Sequence, residues 1–252
     1  MKIVLRLSYL GTDFCGYQVQ PGLPTVQGAL NEAAKGLFGI DCDVTGCSRT
    51  DSGVHANDFC VAITEKGKSY LNTSVPLEKI PVALNVRLPV GIAVRSAEAV
   101  EDSFHPRYDV LLKEYVYIIR DSKIRDPFTE GRAFSVPKRI SDDGIEKMNL
   151  AASFLCGTHD FSAYMASGSK VESTVRTMKY ASVVREGELV KITLAADGFL
   201  YNMVRIISGT LLSVGEGRIS PEEIIRITES NNRALAGATL PACGLYLNKV
   251  VY

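Results

Sequence analysis

The chain has 252 residues, 46% of them apolar, with 28 lysines and arginines against 28 acids. That length supports one large domain or two smaller ones with a substantial core, and the zero net charge excludes a uniformly basic nucleic-acid coat while leaving a localised basic surface open. Six cysteines without a C-x-x-C pair and three scattered histidines leave zinc ligation unsupported, and no apolar run is long enough to cross a bilayer; with Met1-Lys2 leading straight into a strand, the chain reads as a reduced, cytosolic protein.

Ile3 to Tyr9 is rich in branched and aliphatic residues and reads as a strand. Gly11-Thr12-Asp13 breaks it, and a loop carrying Phe14 and Tyr17 runs on to Pro21-Gly22. From Thr25 the period changes. Val26, Leu30, Ala33, Ala34 and Leu37 share one helical face, with Thr25 as N-cap and Gly39 as the stop. Asp41 to Gly46 and Phe59 to Thr64 read as strands flanking a polar loop. Pro76 to Leu88 reads as a partly helical stretch limited by Pro81, and Ile92 to Ala97 as a further strand. The order β-α-β-β-α-β predicts helices laid against a mostly antiparallel sheet.

A second half begins near Phe104, giving domains 1–103 and 104–252. Leu111 to Arg120 alternates, with Lys113, Tyr115, Tyr117 and Ile119 on one face. Basic residues gather from Arg107 to Arg139, including Lys123, Arg125, Arg132 and Lys138. Ser141 to Cys156 reads as a helix ended by Gly157, and Thr174 to Arg185 with Leu189 to Ala195 as a hairpin about Glu186-Gly187-Glu188. Phe199 to Val214 is apolar almost all round, which predicts a buried helix ended by Gly215 and Gly217. Ser220-Pro221-Glu222-Glu223 reads as a capping box with proline at the first helical position, and Leu245 to Tyr252 as a closing strand.

The stretch Gly46 to Ala56 concentrates groups capable of chemistry. Read alone, Arg49 and Asp51 make a surface pair in a turn built by Asp-Ser-Gly. Read as a site, the arginine keeps Asp51 ionised, so that it serves as nucleophile or general base. No second acid stands at a glycosidase-like spacing from it, and the lysine and spacing of a phosphate-cradling loop are missing. Tyr115 and Tyr117 are either core aromatics or a stacking platform for a base. Arg205 lies in an otherwise apolar helix, where a charge either snorkels to solvent or needs an acidic partner, for which Asp51 is a candidate. His55 reads as bonded within its loop, and His105 as fixing the approach to Pro106.

Several stretches in fixed order resemble one family. They are Gly16-Tyr17-Gln18-Val19-Gln20-Pro21 with Thr25-Val26-Gln27, and Arg49-Thr50-Asp51-Ser52-Gly53-Val54-His55-Ala56. Asn85 to Pro89, Phe104 to Tyr108 and Lys113 to Tyr117 follow, then His159 to Ser162, Phe199 to Arg205 and Gly244 to Leu247. Together, from about Tyr9 to Tyr252, they are similar to the tRNA pseudouridine synthase A family. The resemblance implies isomerisation of uridine to pseudouridine at positions 38 to 40 of the tRNA anticodon stem-loop, without metal or organic cofactor. It implies an α+β fold of two ferredoxin-like α/β halves sharing a central, mostly antiparallel sheet, with the active cleft between them. Asp51 takes the place of the family's catalytic acid and Arg49 that of its neighbouring arginine. Tyr115 takes the place of the tyrosine that stacks on the target base, and Arg205 that of the arginine that pairs with the acid and helps fill the vacated stack. The family works as a homodimer, so that one tRNA can contact both subunits. Three departures bear on the shape of the RNA cleft: Tyr17 where the family usually has tryptophan, Ser48 where glycine is common, and Asn57-Asp58-Phe59 after the motif. Two further readings stay open, a synthase of the same fold acting on another RNA such as ribosomal RNA, and a non-catalytic tRNA-binding protein.

Overall fold

A computed structural model describes residues 1–168 and 171–252. The chain forms two units, one of Met1–Leu111 with Leu247–Tyr252 and one of Leu112–Tyr246. A division after Ser103 leaves out the return of the last strand to the first unit, because only a partner far away in sequence assigns that strand.

The first unit follows the β-α-β-β-α-β order. Its elements are β1 (Lys2–Tyr9), α1 (Val26–Phe38), β2 (Cys42–Gly46), β3 (His55–Glu65), α2 (Ile80–Asn85) and β4 (Ile92–Val100). The strands lie in the order β4-β1-β3-β2 with every pair antiparallel, which is the ferredoxin-like arrangement. Leu5, Leu7, Phe59 and Ile63 from the strands, and Leu30, Ile80 and Leu84 from the helices, are at most 1% exposed. Each such side chain contributes about 1.5–3 kcal/mol of transfer free energy on burial. Helix α1 begins where Thr25 Oγ1 accepts from Gly28 N–H at 3.2 Å, and it ends at Gly39, whose φ of 70° only glycine adopts without cost.

Strand β3 starts at His55, earlier than the apolar run from Phe59 suggests. Asn57 and Asp58 resemble loop residues in sequence, yet they sit in the strand because their side chains are satisfied there. Asn57 Nδ2 donates to Asn248 Oδ1 at 2.8 Å, and Asp58 Oδ2 accepts from Arg6 Nη1 at 3.1 Å and Val250 N–H at 3.3 Å. Between Leu7 and Tyr9 the β1–β3 register shifts, with Leu7 opposite Phe59 and Tyr9 opposite Ala56. This bulge re-aims Tyr9 at the end of β1.

The second unit contains β5 (Leu112–Asp121), β6 (Phe134–Val136), α3 (Asp142–Ser153), β7 (Gly157–Asp160), β8 (Val175–Glu186), β9 (Leu189–Ala196), α4 (Met203–Gly215) and α5 (Glu223–Ser230). Its strands run β5-β9-β8-β7, all antiparallel, with β6 parallel to β5. The closing strand β10 spans Leu245–Val251. Tyr115, Tyr117 and Ile119 alternate on the buried face of β5. Helix α4 is buried nearly all round, and its Ser208 and Thr210 hydroxyls satisfy themselves on the Val204 and Ile206 carbonyls at 2.8 and 2.9 Å.

Two expected boundaries in this unit are corrected. The apolar run from Phe199 is not helical at its start: Asn202 takes a left-handed conformation (φ 59°) and α4 begins at Met203. The Ser220 capping box does not form. Glu222, at the N-cap, has helical dihedrals and makes no side-chain cap bond, and the Ser220 carbonyl instead accepts from Glu223 N–H in a turn ahead of α5.

Candidate active site

The loop between β2 and β3 carries Asp51, and the segment after β1 buttresses it. Tyr17 N–H donates to Thr50 O at 3.1 Å, Gly53 N–H to Phe14 O at 3.4 Å, and the Ser52 hydroxyl to the same Phe14 carbonyl at 3.3 Å. Within the loop, Val54 N–H closes a turn on Asp51 O at 3.2 Å, with Gly53 at φ 80°. The Tyr9 hydroxyl lies 2.7 Å from Thr50 Oγ1, and both groups are buried. Fully buried His55 accepts Gly11 N–H on Nδ1 at 3.0 Å, which puts the neutral ring's proton on Nε2. His55 thereby ties its strand to the buttress.

Two glycines make this close approach possible. A Cβ at Gly11 would stand 2.1 Å from the Val54 carbonyl oxygen. One at Gly16, whose φ is +89°, would stand 2.9 Å from Thr50 O and 3.3 Å from the Asp51 carbonyl carbon. Backbone is thus packed on backbone on both sides of Asp51. The half-buried acid is held by neighbours that leave the main chain little room to move. These supporting groups escape a search for chemical side chains, since they act through main-chain atoms. The glycines at 11 and 16 are the signal they leave in the sequence.

Arg49 is exposed, and no ion pair joins it to Asp51 among the described residues. The arginine that reads as the acid's countercharge in the sequence instead presents its guanidinium to solvent. Two of the three departures from the family pattern belong to one packing unit. The Tyr17 ring stacks on Phe59 with centroids 4.7 Å apart, and it abuts Gly46, where a Cβ would meet the ring at 2.5 Å. Burial, reinforced by Cys47 and Cys60, pushes the Tyr17 phenol far above its ordinary range, so it is neutral throughout physiological pH.

In the second unit, Tyr115 is 7% exposed and meets Phe199 edge-on at 5.0 Å. Tyr117 is fully buried and donates its hydroxyl to Pro241 O at 2.7 Å, which makes it a core residue. Burial drives its phenol well above the usual value, while Arg205 acts in the opposite sense. Arg205 is half-buried and braced in the first turn of α4. Its Nε donates to Leu240 O and its Nη1 to Asn202 Oδ1, each at 2.7 Å. The left-handed Asn202 costs on the order of 1 kcal/mol and places its side-chain oxygen where it orients the guanidinium. His105 accepts from Arg107 N–H and Tyr108 N–H on Nδ1 and fixes the turn after Pro106. Among the described residues no group of three or more His, Cys, Asp or Glu side chains could hold a metal ion, and no helix is long and apolar enough to cross a membrane.

A family model described as tRNA pseudouridine synthase matches residues 7–109 and 151–252. Among curated proteins, the tRNA pseudouridine synthase A of Thermoanaerobacter sp. (strain X514) is 42% identical over 251 residues, with 100% of this chain and 99% of that protein covered. The tRNA pseudouridine synthase A of Bacillus licheniformis is 43% identical over 254 residues at the same coverage. Among solved structures, a chain in the one titled "Crystal Structure of a Cbf5-Nop10-Gar1 Complex" is 14% identical with a TM-score of 0.38, covering 97% of this chain and 48% of that one, a likeness too weak to argue from. With both stretches of the family model matched and full-length relatives above 40% identity, this chain belongs to the tRNA pseudouridine synthase family.

Proposed function

We propose that this protein isomerises uridine to pseudouridine in tRNA, with Asp51 as the catalytic carboxylate. The observation that carries the reading is the buttressed loop: a family-matched acid whose backbone is fixed by Tyr17, Phe14 and Gly11. Catalysis by a positioned carboxylate needs that fixity, because misplacement by about 1 Å can cost on the order of 100-fold in rate.

The reaction breaks the N1–C1′ bond of uridine, rotates the uracil and forms a C5–C1′ bond. The C5 proton is released and N1 ends protonated, so atoms and charge balance without an oxidant or a metal. A base inside a stem is unreachable, so the target uridine is flipped out at a cost of a few kcal/mol. In this reading Tyr115, edge-packed on Phe199, supplies the stacking face, and Arg49 and the braced Arg205 bind the RNA. Asp51 then attacks C1′ or uracil C6, or removes the C2′ proton; each of these uses the ionised carboxylate. The targets are positions 38 to 40 of the anticodon stem-loop and the enzyme acts as a homodimer, as the resemblance implies, in the cytoplasm.

Incubation with unmodified tRNA transcripts, followed by carbodiimide-blocked primer extension, tests the reading. New stops at positions 38 to 40 are expected. No new stop in any tRNA, or modification of an added ribosomal RNA transcript alone, would end it.

A further inference from the structure

Residues 122–139 leave the end of β5, come back as the short strand β6 beside it, and run on toward α3, outside both segments matched by the family model. The two ends of this excursion are locked together by a buried clamp. Asp121, with a side chain 0% exposed, accepts from Arg185 Nη1 and Nη2 at 2.9 and 2.8 Å and from Ile140 N–H at 2.9 Å. Arg185 Nη2 also donates to Ile140 O at 2.6 Å. Arg120, 4% exposed, donates to the Ile124 carbonyl and pairs with Glu188, while Tyr246 donates its hydroxyl to Arg132 O at 2.7 Å. Two largely buried cations thus serve to hold a surface loop in one shape.

What that loop presents is unlike the rest of the chain. It carries Lys123, Arg125, Arg132, Lys138 and Arg139 against Asp126 and Glu130, a surplus of three cations in a protein of zero net charge. All five cations are exposed, and none forms an ion pair among the described residues. Between them stands Phe128, 82% exposed. Its backbone is held in a turn: Phe128 N–H donates to Asp126 Oδ1 at 3.0 Å, and Thr129 N–H and its hydroxyl donate to Asp126 O at 3.1 and 3.0 Å. An exposed aromatic on a fixed turn, set among unpaired cations, matches what single-stranded nucleic acid requires, with phosphates on the cations and a base on the ring. A two-fold contact between copies centred on this loop would instead face cations with cations.

We propose that the loop of residues 122–139 is an RNA-docking arm, which holds tRNA phosphates on its cations and stacks a splayed base on Phe128. The inference rests on tRNA as substrate and assigns a contact apart from the catalytic loop. Fluorescence anisotropy with labelled, unmodified tRNA, titrated at several salt concentrations, tests it with Phe128→Ala, Phe128→Tyr and the double variant Lys138→Gln/Arg139→Gln. These side chains are exposed, so the variants should fold, which circular dichroism checks. Phe128→Ala is expected to raise Kd about 10-fold and Phe128→Tyr to leave it near wild type. The double variant should flatten the slope of log Kd against log salt by about 1.5. Unchanged Kd and slope would overturn the proposal. So would a loss of dimer in sedimentation with unchanged tRNA affinity, which would assign the loop to a second copy. Pseudouridine formation is read in parallel: activity with no loop effect refutes only the arm, and a loop effect without pseudouridine refutes only the proposed activity.

Discussion

The buttress on the Asp51 loop makes a sharp demand at Gly11. Its φ lies outside the left-handed region, so substitution by alanine brings no dihedral penalty of that kind. The added methyl alone is at issue. It would stand 2.1 Å from the Val54 carbonyl oxygen and 2.6 Å from the carbonyl carbon, where an ordinary C···O contact is about 3.3 Å or more. Both atoms are backbone, so no side chain can rotate away, and the two segments must part by roughly 1 Å at the turn that Val54 closes on Asp51. Overpacking of this sort costs about 1–3 kcal/mol, and the Gly11–His55 bond is stretched with it. Displacement of the carboxylate by the same order should lower kcat about 100-fold with a smaller change in KM. Tritium release from tRNA labelled at uracil C5 measures the rate, and urea unfolding measures the stability. Wild-type kcat together with a wild-type unfolding midpoint in Gly11→Ala would refute the idea that this contact positions the acid.

Other consequences follow from the same geometry. Thr50→Val removes one partner of the buried Tyr9–Thr50 bond and should cost about 1–3 kcal/mol, and a double-mutant cycle with Tyr9→Phe should recover at least about 0.5 kcal/mol of coupling; additivity in urea unfolding would deny the link. Arg185→Met leaves the Asp121 carboxylate buried without its guanidinium and should destabilise the second unit by about 3–5 kcal/mol, with faster amide exchange across residues 122–139; exchange unchanged there would show that the clamp does not order the loop. For His105, burial first and then the Lys2 charge hold the imidazole below its ordinary value of 6.5, so its contribution to stability is complete above that value and lost as pH falls through the lower folded one. The gap in urea midpoint between wild type and His105→Ala should therefore be widest near neutrality and narrow below about pH 6; a gap that widens on acidification would reverse the sign.

Elements whose ends are set by local chemistry were legible in the sequence. Thr25 and Gly39 bound α1 because a hydroxyl cap and a left-handed glycine act within one turn. The two-residue turn at Gly187-Glu188 joins β8 to β9 for the same reason. Where tertiary contacts decide, the pattern misleads. Phe199 to Tyr201 continue the apolar run of α4 but stop short of it, since Asn202 turns the chain to brace Arg205. Ser220 has the composition of a capping box, yet Pro221 and Glu222 close a turn ahead of α5. At the candidate site, Asp51 stood out by residue type and motif. Its support did not, because Phe14, Tyr17 and Val54 contribute main-chain atoms that any residue carries. Tyr117 shared a strand face with Tyr115 and the same alternation, and the fold alone marks Tyr117 as core, fully buried with its hydroxyl on Pro241 O.

The central claim is that the Asp51 carboxylate carries the chemistry, and Asp51→Asn tests it most directly. The amide is nearly isosteric, so the loop should keep its fold and labelled tRNA should still bind within a few-fold of wild type. Tritium release at saturating tRNA should fall at least about 1,000-fold, as expected for loss of a nucleophile or base. Release within 10-fold of wild type, with binding and fold intact, would contradict the assignment.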